Sequence, residues 1–553
     1  MTERTWINVT TLGDLVDQRA AAHPDREAVV FPNARSTYAD LAARTDQVAK
    51  SLLALGVGPG DRVGYFLHES IDTATTLLGI AKTGAIAAPI NSRFKPFELK
   101  QVITHCGMKV IVTASPGQGT DFAGLILETF PEITRSEGTR VRLDEAPELE
   151  AVVVLEDESP AGTFDRAAWE ALADGVTDEA LRHRQSAVRV RDTAVIMYTS
   201  GTTAMPKGAM LSHEAFLRFS SSTVDDRKAI TDGNRVWTAL PLFHIGGVAF
   251  ITTTLYAGGT FVHTGFFDPK VAAAQIRDEP CEVALPGFET IWMPVLGAAD
   301  EGDLDALRVL LLVGVEERLR QAAAATPQAT LIGCFGQTEA CAFLSLSELD
   351  DPLERRILTD GLPMPGMECE VHDPETGERL DAPAEGELWY RGPQAFDGYF
   401  RDPELTASVF DERGFFRTGD VVRMFEDGSI LFVSRVKDML KVGGENVSAA
   451  EVEGYLLTHP AVAMAQVVAA PDARYVEVPA AFVMLKPDTE ATEQEIIDYC
   501  RGQIATYRIP RYVRFVSEYP MSGTKVKKYV LREMMAKELA DKGITEAPKI
   551  LSD

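Results

Sequence analysis

Eleven residues have the types and spacing to do chemistry together: Tyr198-Thr199-Ser200-Gly201-Thr202-Thr203-Ala204-Met205-Pro206-Lys207-Gly208. They follow an apolar run at residues 194–198 and precede Leu211-Ser212-His213, where a helix is expected to begin. Small residues such as Gly201 let backbone N–H groups approach a polyphosphate. Thr199, Ser200, Thr202 and Thr203 add hydroxyls and Lys207 adds a cation. The segment therefore reads as a phosphate-binding loop. Its spacing is not Gly-x-x-x-x-Gly-Lys-Ser/Thr, so it is not the Walker loop. A plain solvated turn would not explain four hydroxyls, Pro206 and Lys207 gathered behind a strand.

A loop of this kind needs a sheet to hold it. Apolar β-rich runs at residues 62–67, 109–112, 152–155 and 194–198 alternate with helical segments such as 71–82, which argues for parallel sheets covered by helices. A second series continues at 308–313 and 329–332, followed by shorter, turn-rich strands around 386–390 and 429–433. The C-terminal part changes character. It reads as a helix at 449–457, strands at 462–468 and 480–484, a helix at 493–504, a strand at 513–516 and a basic terminal helix, together a compact α+β unit. A short hinge near residues 435–438 divides the chain into domains 1–436 and 437–553.

The bulk properties exclude several functions. At 553 residues, 45% apolar and 25% charged, the chain should fold as at least two domains in water. Its 54 Lys and Arg against 82 Asp and Glu give a net charge of -28, which disfavours nucleic acid and anionic lipid as partners. A local nest of amides can still hold phosphates. The six cysteines are scattered, with no Cys-x-x-Cys pair, and the N-terminus lacks a secretory pattern, so a reducing cytoplasm is expected. No Asp, Glu, Lys or Arg occurs between Arg235 and Asp268, yet Pro241, Gly246-Gly247 and Gly258-Gly259 interrupt that stretch. It reads as a buried strand-loop-helix-strand passage, and no membrane span is expected.

The phosphate loop resembles the signature of the acyl-adenylate-forming superfamily, which includes acyl-CoA synthetases, amino-acid adenylation domains and beetle luciferases. Later motifs agree in order, and the resemblance runs from about residue 10 to residue 540. Gly333-Cys334-Phe335-Gly336-Gln337-Thr338-Glu339 is similar to the family's aromatic-Gly-x-Thr-Glu element. The resemblance implies that Phe335 stacks on adenine beside Gly336 and Gln337, Thr338 meets the phosphates, and Glu339 holds Mg²⁺. Gly386-Glu387-Leu388-Trp389-Tyr390-Arg391-Gly392 and Phe416-Arg417-Thr418-Gly419-Asp420 match the next two elements, with Asp420 accepting both ribose hydroxyls. Arg435 would contact ribose and Lys437 would be the pivot. Gly443 and Gly444 would flank the pantetheine arm of coenzyme A. Gly314-Val315-Glu316 stands beside adenine in place of a common small-residue stretch, and Ala204 stands where the loop usually has Gly.

The final motif, residues 519–533, resembles a Pro-x-Thr-x-x-Gly-Lys loop but is one residue short. Lys525, Lys527 and Lys528 compete for the lysine that bridges carboxylate and α-phosphate, and Lys525 is chosen because it directly follows the Gly/Thr turn. The implied fold is α/β. It has a large layered N-terminal domain with parallel sheets and helices plus a distorted barrel, and a small α+β C-terminal domain on a hinge. The implied catalytic set is Lys525, Glu339, Thr199 and His244, with His244 gating the carboxylate's approach.

The implied reaction is that of an AMP-forming acyl-CoA synthetase using ATP, Mg²⁺ and coenzyme A on a small-molecule carboxylic acid. Residues 240–247, 284–292 and 340–343 should line an acyl pocket. Their apolar character favours a fatty, aromatic or alicyclic, steroid-type acid over acetate or an amino acid. Glu289 either meets a polar substituent or faces solvent. Three other readings share the sequence: an adenylating enzyme loading a separate carrier protein, a luciferase-like oxygenase, and a non-catalytic nucleotide-binding module. Retention of Lys207, Glu339, Asp420, Arg435 and Lys525 speaks against the last. Homo-oligomerisation is left open.

Overall fold

The computed structural model describes residues 11–115, 120–136, 138–199, 207–314, 316–436, 439–442, 445–501, 503–504, 506–522 and 525–550. The loop calls at Ser200, Gly201, Thr202 and Thr203, and those at Val315, Lys437, Gly443 and Gly444, lie outside the described residues.

Two parallel sheets dominate the large N-terminal domain. One orders its six strands as Ala151–Val154, Met108–Thr113, Arg62–Phe66, Ile86–Pro89, Thr193–Thr199 and Lys207–Ser212, with only the last antiparallel to its neighbour. The other runs Thr330–Ile332, Val309–Val313, Val283–Phe288, Arg235–Thr238, Thr260–His263, Glu27–Phe31 and Ala34–Thr37, again with one antiparallel pair at its end. Helix Ile71–Thr83 touches strands of both sheets. That position explains why all but one of its residues are buried. Gly79 lets the neighbouring helix Tyr38–Ala54 close in, since a Cβ there would sit 2.7 Å from Val48 Cγ1. The charge-free stretch forms strand Arg235–Thr238, helix Ile245–Tyr256 and strand Thr260–His263, as read from its sequence. Among the described residues no helix is long and apolar enough to cross a membrane.

Two antiparallel sheets follow. One has three strands, Cys334–Gln337, Ala342–Leu346 and Leu362–Pro363. The other has five, in the order Arg379–Leu380, Glu368–His372, Ala384–Arg391, Phe416–Met424 and Ile430–Arg435. Phe335 and Phe432 stack with centroids 5.7 Å apart and join the two.

The small C-terminal domain has its own sheet, ordered Glu445–Ser448, Met439–Val442, Val476–Leu485 and Val462–Asp472, with Tyr512–Phe515 parallel to Val476–Leu485. Its apolar side chains form two clusters separate from those of the large domain. Helix Ala449–Leu457 has the expected bounds. The helix expected over 493–504 stops at Cys500, because Arg501 turns to an extended conformation. Ser448 Oγ donates to Val433 O at 2.8 Å, tying this domain to strand Ile430–Arg435.

Candidate active site

The helix expected after the phosphate loop begins at His213 as read, but a strand that the sequence reading did not anticipate comes before it. Residues Lys207–Ser212 form a strand paired antiparallel with Thr193–Thr199, from Thr199↔Lys207 to Thr193↔Ser212. Helix His213–Ser221 begins only after it, with Ser212 as N-cap accepting from Ala215 N, an interaction worth about 1 kcal/mol. The two strands form a β-hairpin whose connecting residues, 200–206, lie outside the described residues.

A second segment lies along this hairpin. Met210 N donates to Gly398 O, Asp397 N to Met210 O and Phe400 N to Gly208 O, which carries Tyr399 to the base of the loop. There Lys207 Nζ sits 5.4 Å from the Tyr399 ring centroid, and Tyr399 OH donates to Glu339 Oε1 at 2.8 Å. Phe396 N also donates to Glu339 O at 2.8 Å. Burial and the Glu339 carboxylate both push the Tyr399 hydroxyl's pKa up, so it stays a donor. The sequence motifs pointed to Lys207 and Glu339 but not to Tyr399; the only local signal is a Gly398-Tyr399 pair after Pro393.

Behind the hairpin, His105 Nδ1 lies 2.8 Å from Tyr198 OH, next to Thr199. Thr199 Oγ1 donates to Lys207 O at 3.5 Å.

Glu339 lies within the sharp chain reversal between strands Cys334–Gln337 and Ala342–Leu346. A Cβ on Gly336 would fall 1.7 Å from Ala342 O, so only glycine fits. Cys341 and Ala342 adopt φ of 53° and 86°, a left-handed pair that begins two residues after Glu339. Thr338 opens the short 3₁₀ turn Thr338–Ala340, and Gln337 precedes it. Among the described residues Gln337 Nε2 is buried without a hydrogen-bond partner. Gly314 backs onto Glu289, whose Oε2 would be 2.4 Å from a Cβ at Gly314, while Glu316 pairs with Arg320 at 2.8 Å.

Asp420 and Arg435 are direct partners across strands Phe416–Met424 and Ile430–Arg435, with Oδ1 and Nε 3.4 Å apart. Asp420 is 5% exposed and Arg435 is exposed.

The apolar wall is built around Leu240. Cβ atoms at Gly246 and Gly287 would come within 2.9 and 3.0 Å of Leu240 Cδ1, and one at Gly247 would meet Pro241 O at 2.2 Å. His244 is exposed at the N-cap position of helix Ile245–Tyr256, its ring against Phe243. Both backbone polar groups of Leu242 are held by strand Arg62–Phe66 and the loop after it: Tyr65 OH donates to its oxygen at 2.6 Å, and its N–H donates to Glu69 Oε2 at 3.1 Å. Burial pushes the Glu69 carboxyl up to about 8. Neither Tyr65 nor Glu69 belongs to a motif.

In the small domain, Lys525 opens the two-residue strand Lys525–Val526, paired with Met521–Ser522; its side chain lies outside the described residues. Lys528 is engaged by Glu453 at 2.7 Å, and Lys527 is the N-cap of helix Lys528–Asp541.

Among the described residues no group of three His, Cys, Asp or Glu could hold a metal by itself. Glu339 offers one carboxylate with Oε1 already accepting from Tyr399. That suits a hard cation which takes most of its ligands from phosphates and water.

Known proteins carry the same architecture. The AMP-binding enzyme family model matches residues 16–400, and the model for that enzyme's C-terminal domain matches residues 451–525. The putative acyl-CoA synthetase YngI of Bacillus subtilis is 31% identical over 95% of this chain and 97% of its own length. The mitochondrial medium-chain acyl-CoA ligase ACSF2 of Mus musculus is 31% identical over 96% of this chain and 88% of its own. Among solved structures, the anthranilate CoA ligase AuaEII in complex with anthranoyl-AMP superposes with a TM-score of 0.84 at 26% identity, over 96% of this chain and 98% of that one. ATP-bound MatB from Rhodopseudomonas palustris gives 0.80 at 26%, over 95% and 99%. The chain belongs to the AMP-binding enzyme family, within the acyl-adenylate-forming superfamily. It is an AMP-forming acid–thiol ligase of the acyl-CoA synthetase type.

Proposed function

We propose that this enzyme converts a medium-chain fatty or aromatic acid to its coenzyme A thioester. A carboxylate oxygen of the acid attacks the α-phosphorus of ATP and pyrophosphate leaves with the electron pair of the broken P–O bond. The thiolate of coenzyme A then attacks the acyl carbon and AMP leaves. The first step brings two anions together, so positioning and charge stabilisation carry most of the catalysis.

Lys207, Thr199 and the loop residues 200–203 face the phosphates in this reading, with Thr338. Glu339, oriented by Tyr399, holds Mg²⁺, which when bound neutralises charge on the phosphates. Phe335, Gly336 and Gln337 flank adenine opposite the segment 314–316, and Asp420 with Arg435 holds the ribose. His244 guards the carboxylate's entry. Lys525 bridges carboxylate and α-phosphate, then leaves as the domain from residue 437 turns about Lys437 and brings Gly443 and Gly444 to the pantetheine arm.

The observation that carries the acid class is the wall around Leu240, seated between Gly246 and Gly287 and continued by buried Leu285, Ile291 and Trp292. Such a surface gains by covering hydrocarbon. The relatives named for medium-chain acids and anthranilate fit it. The test is coenzyme A-dependent AMP release over acids from acetate through medium- and long-chain fatty acids, benzoate and cinnamate types, and steroid acids. Acids larger than propionate should have the higher kcat/KM, with medium-chain or aromatic acids best. A preference for acetate or a free amino acid would overturn the proposal.

A further inference from the structure

Strand Phe416–Met424 does not lie flush against Ala384–Arg391. Glu387 faces Val421 and Trp389 faces Arg417, so Thr418, Gly419 and Asp420 together oppose the single residue Leu388. A bulge of this kind takes backbone groups out of the ladder and re-aims the side chains it carries. Two side chains supply the missing partners. Thr418 Oγ1 donates to Leu388 O at 2.7 Å and accepts from Asp420 N at 2.9 Å. Glu387 Oε1 accepts from Gly419 N at 2.9 Å, where Gly419 holds a φ of 69°.

The other oxygen of the same carboxylate is also engaged. Glu387 Oε2 accepts from Trp389 Nε1 at 3.0 Å. That indole is braced on both sides: its ring stacks on His372 at 3.8 Å, and the Arg417 guanidinium lies 4.7 Å from its centroid. The carboxylate thus ties the tip of the bulge to a fixed ring. A carboxylate can accept from two N–H groups at once, whereas an amide has one oxygen and must turn its NH₂ toward one of the donors.

We propose that Glu387 is a positioning residue for ATP: it fixes Gly419, and through it sets the Asp420 carboxylate opposite Arg435 at the spacing the ribose hydroxyls require. The inference rests on the reading of Asp420 as the ribose acceptor. It explains why a Gly-Glu element on one strand accompanies a Gly-Asp element on the next.

The test is the ratio of kcat/KM for ATP over 2′-deoxy-ATP and 3′-deoxy-ATP in the full-length enzyme, with melting temperature measured for every variant. Glu387→Ala should raise KM for ATP about tenfold, change kcat less, and pull the ratio toward that of Asp420→Ala. The double variant should be no worse than Asp420→Ala alone, because both act through one carboxylate. Glu387→Gln should show part of the defect, and adding Trp389→Phe, which removes the second donor, should restore nucleotide discrimination. That rescue decides the matter should Glu387→Ala fail to fold. If Asp420→Ala abolishes discrimination while folded Glu387 variants keep it, the positioning role is wrong and the ribose reading stands. If Asp420→Ala leaves discrimination intact, both fall.

Discussion

The large domain holds Asp420 and Arg435 on paired strands of nine and six residues, whereas the small domain presents Lys525 on a ribbon of two residues a side. Asp420 lies on a nine-residue strand with neighbours on both edges. Glu339 is fixed by Tyr399 and by the amide of Phe396. Lys525, in contrast, sits among the described residues on the pairs Met521↔Val526 and Ser522↔Lys525, at the end of a domain with separate apolar clusters. Groups needed in both half-reactions, such as those holding the nucleotide, gain from rigidity. A lysine needed in only one gains from a mount that can be withdrawn.

The largest expected effect breaks that comparison at its mobile side. Lys525→Ala should lower acid-dependent pyrophosphate release by about 10² to 10³, since a cation between two anions contributes a few kcal/mol to the transition state. Attack of coenzyme A on supplied acyl adenylate should stay nearly unchanged. If Lys527→Ala or Lys528→Ala shows this split instead, the lysine assignment is wrong. The Lys528–Glu453 ion pair argues against Lys528.

A smaller effect is expected on the fixed side. Tyr399→Phe keeps the ring near Lys207 but removes the hydroxyl from Glu339. Adenylation kcat/KM should fall about ten- to thirtyfold, with a higher Mg²⁺ requirement. An unchanged Mg²⁺ dependence would separate Tyr399 from the cation.

How much of this was legible in sequence differs between the same two regions. Strand and helix alternation gave the parallel sheets because buried strands there are continuous apolar runs, and helix Ala449–Leu457 follows from its own local composition. The strand Lys207–Ser212 went unread because Lys-Gly-Ala-Met-Leu-Ser carries no strand alternation; its conformation comes from pairing with Thr193–Thr199 and from the segment 397–400. Tyr399 and Glu339 meet across 60 residues of chain, and Tyr65 reaches Leu242 across 177. Contacts of that kind leave no periodicity to read. Glu387 stood inside a recognised motif, yet its role depends on a bulge that only the strand register reveals.

The smallest effect is on stability. Burial raises the Glu69 carboxyl from 4.5 to about 8. Between those values the folded chain keeps a proton that the unfolded chain has released, so this group's contribution to stability falls as pH rises through that window and is level above it. Glu69→Gln, which can still accept from Leu242 N, should leave the melting temperature unchanged below the window and raise it by a few degrees above it. Parallel melting curves across the whole pH range would contradict this.

The central claim is that the acid is activated through its own oxygen at the α-phosphorus. Supplying the preferred acid with heavy-oxygen-labelled carboxylate, together with ATP, Mg²⁺ and coenzyme A, tests it by mass spectrometry of the products. The account predicts AMP carrying one heavy oxygen per thioester formed and unlabelled pyrophosphate. Thioester formation with unlabelled AMP, or with label in a phosphate released from the far end of ATP, would contradict it.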